Sequence, residues 1–326
     1  MLDKVTLPGV NLPTSHTGFG CVGLTAVNDD ARANELLHRA FNRGVTHFDV
    51  APLYGFGRAE VLLGRFLEGR RAQVTVTTKF GLAPPRLAAQ NPGLVAFAKR
   101  TLRHLPALRR LAHRYAAQST RVGAFSIRDA ELSLRTSLAN LRTDYVDVLL
   151  LHEGSVEDAR NDELLAFAAR EIERGTVRCY GLGSGSHRVS PELTTYPPAI
   201  KIFQFENDII GRQKRAFSGT AGRCFITHGA LRPLRRIGEL ALAHPALALE
   251  IESATGIQLT DAGELSRLLL QYARFDNPGG VVIFGSTRFE HIDFNVAALE
   301  ARVESDRMER LSRAISELLS RSSKAP

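Results

Sequence analysis

Long hydrophobic runs and paired cysteines are missing from this 326-residue chain, and its first residues do not show the pattern of an export signal. A membrane-spanning helix needs about 20 consecutive apolar residues, and the longest apolar candidate here, VDVLLL, has only the length of a strand. The three cysteines are odd in number, far apart and without a CxxC pair, which favours reduced thiols over a disulfide framework or a zinc site. The opening residues MLDKVTLPGV lack a basic segment followed by an apolar one, so we expect a cytoplasmic protein and no membrane partner.

Acidic residues are also missing between Gly69 and Arg128, where arginines and lysines accumulate. Most of the net charge of +8 therefore belongs to this one segment. Nucleic-acid binding is one interpretation of such a basic block. The segment contains no zinc-finger, homeodomain or RNP-type pattern, so we do not expect a nucleic-acid partner.

Short apolar strands alternate with amphipathic helices along the chain. A helix N-cap is predicted at Asn28-Asp29-Asp30, another helix is predicted to start at Ser126, and further helices are predicted at 159–174 and 260–275. Eight such strands over about 300 residues predict an α/β fold, a (β/α)8 TIM barrel that forms a single domain over 1–326. The predicted strands are 17–22, 45–49, 73–79, 145–151, 178–183, 199–205, 222–227 and 280–285.

Two segments are too long for ordinary loops of a barrel. The first, 82–125, follows strand three and is called the basic insertion below; the second is a long loop after strand seven, 228–258. The basic insertion is predicted to be helical, because apolar residues recur at helical spacing at Leu102, Leu105, Leu108, Leu111 and Tyr115. It either rests on the barrel as a solvated hairpin or covers the pocket and attracts an anionic substrate or an acidic carrier protein.

A glycine motif near the N-terminus resembles a dinucleotide-binding fingerprint. Gly18-Phe19-Gly20-Cys21-Val22-Gly23 matches G-x-G-x-x-G, and Asp49 ends the next strand. In that motif the helix opens within the glycine run, whereas the first cap signal here comes after Gly23. The preceding segment NLPTSHTGF also reads as too polar for a buried strand. We expect these glycines to let the first barrel strand approach its neighbours closely.

Four ionisable residues, Asp49, Tyr54, Lys79 and His152, lie at or just after the ends of predicted strands. The carboxyl ends of barrel strands meet at one face, so these side chains are expected to share one pocket. Taken singly, each has a structural interpretation as an ion pair, a packing residue or a core histidine. Together, a phenol, an ammonium, a carboxylate and an imidazole can donate a proton to a carbonyl near neutral pH, which predicts an enzyme.

The segments that carry these four residues resemble the aldo-keto reductases. The resemblance includes GVTHFDVAPLYGFGRAEVLLG, VTTKFG and FSIRDAELSLRTSLANLRTDYVDVLLLHEG, and it resumes at VIFGSTRFEHIDFN near the C-terminus. It implies a (β/α)8 barrel that binds a nicotinamide cofactor, usually NADPH, without a Rossmann unit. It also implies the reduction of an aldehyde or ketone.

The resemblance implies a role for each of the four residues. Tyr54 is the general acid, Lys79 and Asp49 adjust its acidity, and His152 orients the carbonyl group. An ammonium about 4 Å from a phenol favours the phenolate by up to ~4 kcal/mol at an effective dielectric constant of ~20. We therefore expect the pKa of Tyr54 to fall from ~10 towards the operating range.

The resemblance also implies cofactor contacts. Gln204 and Ser184 are expected at the nicotinamide carboxamide, and Arg288 and His291 at a 2′-phosphate. The aromatic residue that the family stacks on the nicotinamide is missing from FITHGAL, where His228 either replaces part of its function or only lines the pocket. NADP(H) is expected over NAD(H), and no metal is expected. The residues expected at the phosphate and adenine groups are Gly285, Ser286, Thr287 and Asn295.

The function expected from the sequence is that of an NAD(P)H-dependent oxidoreductase, with a small carbonyl compound as substrate. A sugar or alcohol dehydrogenase that runs oxidatively on the same fold is one alternative. A cofactor-sensing regulatory subunit with little turnover is another. The substrate and the oligomeric state are left open.

Overall fold

The computed structural model describes residues 3–10, 12–83, 121–123 and 125–322. Eight parallel strands form a closed barrel in which each strand pairs with its neighbours in chain order and the eighth pairs with the first. The predicted barrel is therefore confirmed. Its strands are β1 Thr17–Gly20, β2 His47–Asp49, β3 Thr75–Phe80, β4 Val146–His152, β5 Val177–Gly183, β6 Ile202–Glu206, β7 Cys224–His228 and β8 Val281–Phe284.

The helices pack around the barrel and start at polar caps. The Asp29 side chain accepts a hydrogen bond from the amide of Ala31, and the Ser126 side chain accepts one from the amide of Asp129, so the predicted cap and the predicted helix start at Ser126 are confirmed. The helix predicted at 159–174 begins later, because Asn161 caps it. In the described part of the chain, the helices of ten or more residues are α1 Asp30–Asn42, α2 Arg58–Leu67, α3 Ile127–Leu141, α4 Asp162–Glu173, α5 Leu234–Ala243, α6 Pro245–Thr255, α7 Ala262–Asp276, α8 Phe289–Glu300 and α9 Ser305–Ser322.

The connection after β7 contains α5 and α6, two helices that the sequence pattern does not predict. Their buried residues Ile237 and Ile251 belong to one apolar cluster with Leu268 of α7 and Leu311 of α9. The hydrophobic burial that fixes these helices therefore depends on partners far along the chain. In the described part of the chain, no helix is long and apolar enough to span a bilayer.

Only the two ends of the basic insertion belong to the described residues. Leu82–Ala83 pairs with Arg121–Val122 as a short antiparallel ladder, which brings the ends of the insertion together beside β3. The predicted helical stretch that contains Leu102 and Tyr115 lies outside the described residues.

The glycines of the N-terminal motif lie in the barrel wall. A Cβ atom at Gly18 would lie 2.9 Å from Val281 Cγ1, and one at Gly20 would lie 3.0 Å from Ile283 Cγ2. Both contacts are tighter than a Cβ atom normally makes, so the two glycines allow β1 to lie close to β8 without displacing these side chains. The expectation of close strand approach is confirmed.

The expectation that the segment before β1 is too polar for burial is wrong. Every residue from Thr14 to Gly20 is buried. The hydroxyl oxygens of Thr14 and Thr75 lie 2.6 Å apart, and the Ser15 hydroxyl donates to the carbonyl oxygen of Thr17 at 2.6 Å. Polar groups can be buried at little cost when their hydrogen bonds are made inside the protein.

Candidate active site

One cavity of about 330 Å³ lies at the carboxyl ends of the barrel strands. The side chains of Asp49, Tyr54, Lys79 and His152 all line it. Strand register explains the convergence, because Asp49 pairs with Gly20 of β1 and His152 with Gly183 of β5, so these strands end at the same level. The structure thus brings the four residues together, as the strand ends predict.

Asp49 and Lys79 form a buried ion pair at the base of this cavity. Lys79 Nζ donates to both carboxylate oxygens of Asp49 at 2.8 Å and to the carbonyl oxygen of Val50 at 3.2 Å. Burial disfavours the charged ammonium, but the Asp49 carboxylate and the Tyr54 side chain together outweigh burial and hold the pKa of Lys79 above its ordinary value. Lys79 is therefore a fixed positive charge at neutral pH.

Tyr54 enters the cavity from the loop between β2 and α2. Gly55 and Gly57 adopt positive φ angles of 61° and 86°, and a Cβ atom at Gly55 would lie 2.8 Å from Thr25 Cγ2. This tight loop places the Tyr54 ring with its centroid 5.3 Å from Lys79 Nζ. The His152 ring meets it edge to face at a centroid distance of 6.3 Å.

The predicted fall in the pKa of Tyr54 is wrong. Burial raises the pKa of Tyr54, and the ammonium of Lys79 offsets only part of that rise. Asp49 pushes the pKa in the same direction as burial and so cancels much of the field of Lys79. The phenol therefore keeps its proton at neutral pH.

The two histidines of the cavity are neutral. Burial, followed by the charge of Lys79, lowers the pKa of His152 to about 3. The pKa of His228, which also lines the cavity at the end of β7, is lowered chiefly by burial. A neutral imidazole carries one N–H donor, so either ring can donate a hydrogen bond without adding charge.

Ser184 and Gln204, the residues expected at the nicotinamide, are in the same cavity but already have protein partners. The Ser184 hydroxyl donates to the carbonyl oxygen of Gly154 at 2.7 Å, and Gln204 Nε2 donates to Asp49 Oδ2 at 2.7 Å. Each side chain keeps an oxygen that can accept from a ligand.

The remaining expected cofactor residues lie mostly outside the cavity. Gly285 lines it, and a Cβ atom there would lie 3.4 Å from the carbonyl oxygen of Gly20. Gly183 and Gly285 line the cavity without side chains, so a flat ring such as a nicotinamide can approach the backbone at either residue. Beyond the cavity, at the start of α8 or within it, lie Ser286, Thr287, Arg288, His291 and Asn295.

Two glutamates of the cavity were not among the residues predicted from the sequence. Glu153 directly follows His152, and Glu206 is two residues after Gln204 on β6. Side chains two apart on a strand point to the same face, so the spacing from Gln204 was a signal for Glu206. Glu153 gave no such signal, because its backbone is left-handed with φ of 58°.

Comparison with known proteins agrees with this geometry. The model of the aldo/keto reductase family matches residues 17–215. The uncharacterized oxidoreductase YqkF of Bacillus subtilis is 23% identical over 316 residues, which is 92% of each chain. A D-threo-aldose 1-dehydrogenase of a Pseudomonas species is 32% identical over 193 residues, or 57% of this chain and 53% of that protein.

Among solved structures, an aldo-keto reductase from Klebsiella pneumoniae in complex with NADPH has a similar fold. Its TM-score is 0.63 at 17% identity, and the similarity covers 96% of this chain and 95% of the other. The family model alone spans more than half of the sequence, including every barrel strand from β1 to β6. The chain therefore belongs to the aldo/keto reductase family and is an NAD(P)-dependent oxidoreductase.

Proposed function

We propose that this enzyme reduces an aldehyde or ketone to an alcohol, with Tyr54 as the proton donor. The observation that carries the proposal is that a protonated phenol, a fixed ammonium and a neutral imidazole line one cavity. A general acid must hold its proton until transfer. The raised pKa of Tyr54 provides that condition over the whole neutral range.

Each side chain has a distinct task in this proposal. The N–H of His152 donates to the carbonyl oxygen and orients it towards Tyr54. As negative charge develops on that oxygen, the phenol gives up its proton, and Lys79 stabilises the phenolate that remains. Asp49 keeps Lys79 charged and in place through its two hydrogen bonds.

The nicotinamide cofactor supplies, when bound, the hydride that the side chains lack. Gln204 Oε1 and the Ser184 oxygen are the acceptors available for its carboxamide, since the amide nitrogen of Gln204 already donates to Asp49. We propose NADP(H) as the preferred form, because the guanidinium of Arg288 is exposed at the N-terminal end of α8. A helix N-terminus and an arginine both favour a phosphate.

A sugar or alcohol dehydrogenase is a second candidate, favoured by the 32% identity to the D-threo-aldose 1-dehydrogenase. Oxidation would require the Tyr54 phenolate as a base, and burial makes that form scarce at neutral pH. Carbonyl reduction should therefore hold its rate through neutral pH and decline in alkali. Alcohol oxidation should increase towards alkaline pH.

The test is a reductive assay with NADPH and NADH over a set of neutral aldehydes, and an oxidative assay with sugars. His152→Leu, which removes the donor, should lose about 10²–10³ in kcat. His38→Leu is the control, because His38 lies on α1, packs against Phe66 of α2 and does not line the cavity. Equal activity of the two variants would refute the role of His152, and no nucleotide turnover in either direction would refute the proposed function.

A further inference from the structure

Two carboxylates in the cavity have no task in the proposed reaction. Glu153 follows His152 at the end of β4, and its amide donates to the carbonyl oxygen of Gly183 at 2.8 Å. Glu206 ends β6, where it is paired in register with His228. Both side chains line the same cavity as Tyr54.

These carboxylates decide the charge of the cavity. Asp49 and Lys79 neutralise each other, and the histidines are neutral. Burial raises the pKa of Glu206, but hydrogen bonds from its own backbone and from Ser186 outweigh burial, so its pKa is below the ordinary value. Among the described residues that line the cavity, the glutamates therefore leave an excess of negative charge.

The glycine-rich turn after β5 is held by the same two side chains. Glu153 Oε2 accepts from the amide of Gly185 at 3.4 Å, and both Glu206 oxygens accept from the amide of Ser186 at 3.2 Å. Consecutive amides in such turns bind anions in many proteins. Here internal carboxylates already occupy these donors, so the turn does not offer them to an anionic substrate.

The glutamates still have acceptor capacity towards the cavity. The Ser186 hydroxyl donates to Glu206 Oε1 at 2.8 Å, and a carboxylate has about four lone-pair positions in all. The remaining positions suit hydroxyl donors of a substrate. A substrate carboxylate or phosphate would instead meet like charges, which costs several kcal/mol at close range.

We propose that Glu153 and Glu206 determine substrate specificity, selecting neutral, hydroxyl-bearing carbonyl compounds and rejecting anionic ones. This inference rests on the proposed carbonyl reduction and narrows its substrate class. It also opposes the anionic substrate that the basic insertion suggests from charge alone.

The first test uses two matched pairs of aldehydes with the preferred nucleotide. For charge, 4-formylbenzamide and 4-carboxybenzaldehyde have nearly the same shape; for hydroxyl recognition, glyceraldehyde is compared with propanal. The wild type should favour the amide over the carboxylate by at least about tenfold in kcat/KM, and it should favour glyceraldehyde over propanal. Glu153→Gln and Glu206→Gln should each reduce the preference for the amide over the carboxylate. The double variant should reduce this preference and the preference for glyceraldehyde over propanal the most. Glu173→Gln, at an exposed position on α4, is the control and should change neither.

Two results would overturn the inference. One is equal kcat/KM for the charged and neutral aldehydes in the wild type; the other is an unchanged ratio in the glutamine variants. Either can occur while aldehyde reduction itself is observed, so the proposed function would stand. If Glu206→Gln does not fold, Glu153→Gln decides alone.

A binding measurement covers the case in which no aldehyde is turned over. Acetamide and acetate are matched in shape, and calorimetry can compare their affinities for protein saturated with reduced nucleotide. Acetamide should bind more tightly to the wild type, and the difference should disappear in the double variant. Equal affinities in the wild type would overturn the inference regardless of catalysis.

Discussion

Removal of one charge from the Asp49–Lys79 pair is expected to destabilise the protein strongly. The side chains are 7% and 3% exposed, and Lys79 Nζ lies 2.8 Å from each Asp49 oxygen. Asp49→Asn keeps the shape of the side chain but leaves the ammonium buried without its counter-ion. Burial is the largest influence on the pKa of Lys79, and without the Asp49 charge only Tyr54 would oppose it, so the pKa of Lys79 should fall.

The magnitude follows from two opposing energies. At 2.8 Å and an effective dielectric constant of ~20, the attraction is roughly 6 kcal/mol. Desolvation costs several kcal/mol per ion, so the intact pair contributes little net stability. Removal of one partner, however, leaves the other charge buried and costs about 3–5 kcal/mol. Removal of both in Asp49→Asn/Lys79→Met should recover most of that loss.

Urea unfolding of the wild type, the two single variants and the double variant measures these free energies directly. Asp293→Asn is the control, because its ion pairs with Arg39 and Arg43 lie at the partly exposed surface and should contribute no more than about 1 kcal/mol each. The reasoning is refuted if Asp49→Asn loses no more stability than Asp293→Asn. It is equally refuted if the double variant loses the sum of the two single losses.

Three further predictions concern pH, packing and the nucleotide. Burial lowers the pKa of His47 to about 4 from 6.5, so its stabilisation is complete above pH 6.5 and is lost as the pH falls towards 4. Between pH 7 and pH 5 the loss of unfolding free energy due to His47 amounts to about 2 kcal/mol. Urea unfolding at the two pH values should show this loss in the wild type and not in His47→Asn. The same pH dependence in both proteins would contradict the prediction. In Gly181→Ala the added Cβ atom would collide with the carbonyl oxygen of Ile202, so the free energy of unfolding should fall by at least about 1–3 kcal/mol. Gly238→Ala, in open space on α5, should instead raise it by about 0.5–1 kcal/mol. A thermal unfolding experiment that ranks the two variants in the opposite order would refute the close contact at Gly181. Arg288→Ala should raise the Michaelis constant for NADPH about tenfold and leave the Michaelis constant for NADH unchanged. A parallel rise in both constants would show that Arg288 does not bind the 2′-phosphate.

The barrel and the four ionisable residues at its strand ends were predictable because local pattern fixes them. Short apolar strands alternate with capped helices, and the ends of parallel strands meet at one face, which brings Asp49, Lys79 and His152 together. Tyr54 follows from the loop after β2. These features depend on residues close in sequence, where periodicity and caps can be read.

What the sequence did not predict depends on contacts between distant residues. The pKa of Tyr54 rises because burial and the charge of Asp49 outweigh Lys79. Gln204 donates to Asp49 across 155 positions, which no local pattern shows. The polar segment before β1 is buried because Thr14 meets Thr75. In each case the energy of a side chain is set by partners that only the closed barrel supplies.

The most direct test of the central claim compares Tyr54→Phe with Tyr180→Phe. Each variant loses one phenolic hydroxyl. Tyr180→Phe is the control, because the Tyr180 hydroxyl is buried outside the cavity and has no hydrogen-bond partner among the described residues. With NADPH and a neutral aldehyde, Tyr54→Phe should lose about 10²–10⁴ in kcat, while a fluorescence titration shows unchanged nucleotide affinity. Tyr180→Phe should keep the wild-type rate. A Tyr54→Phe enzyme that turns over as fast as Tyr180→Phe would contradict the assignment of Tyr54 as the proton donor.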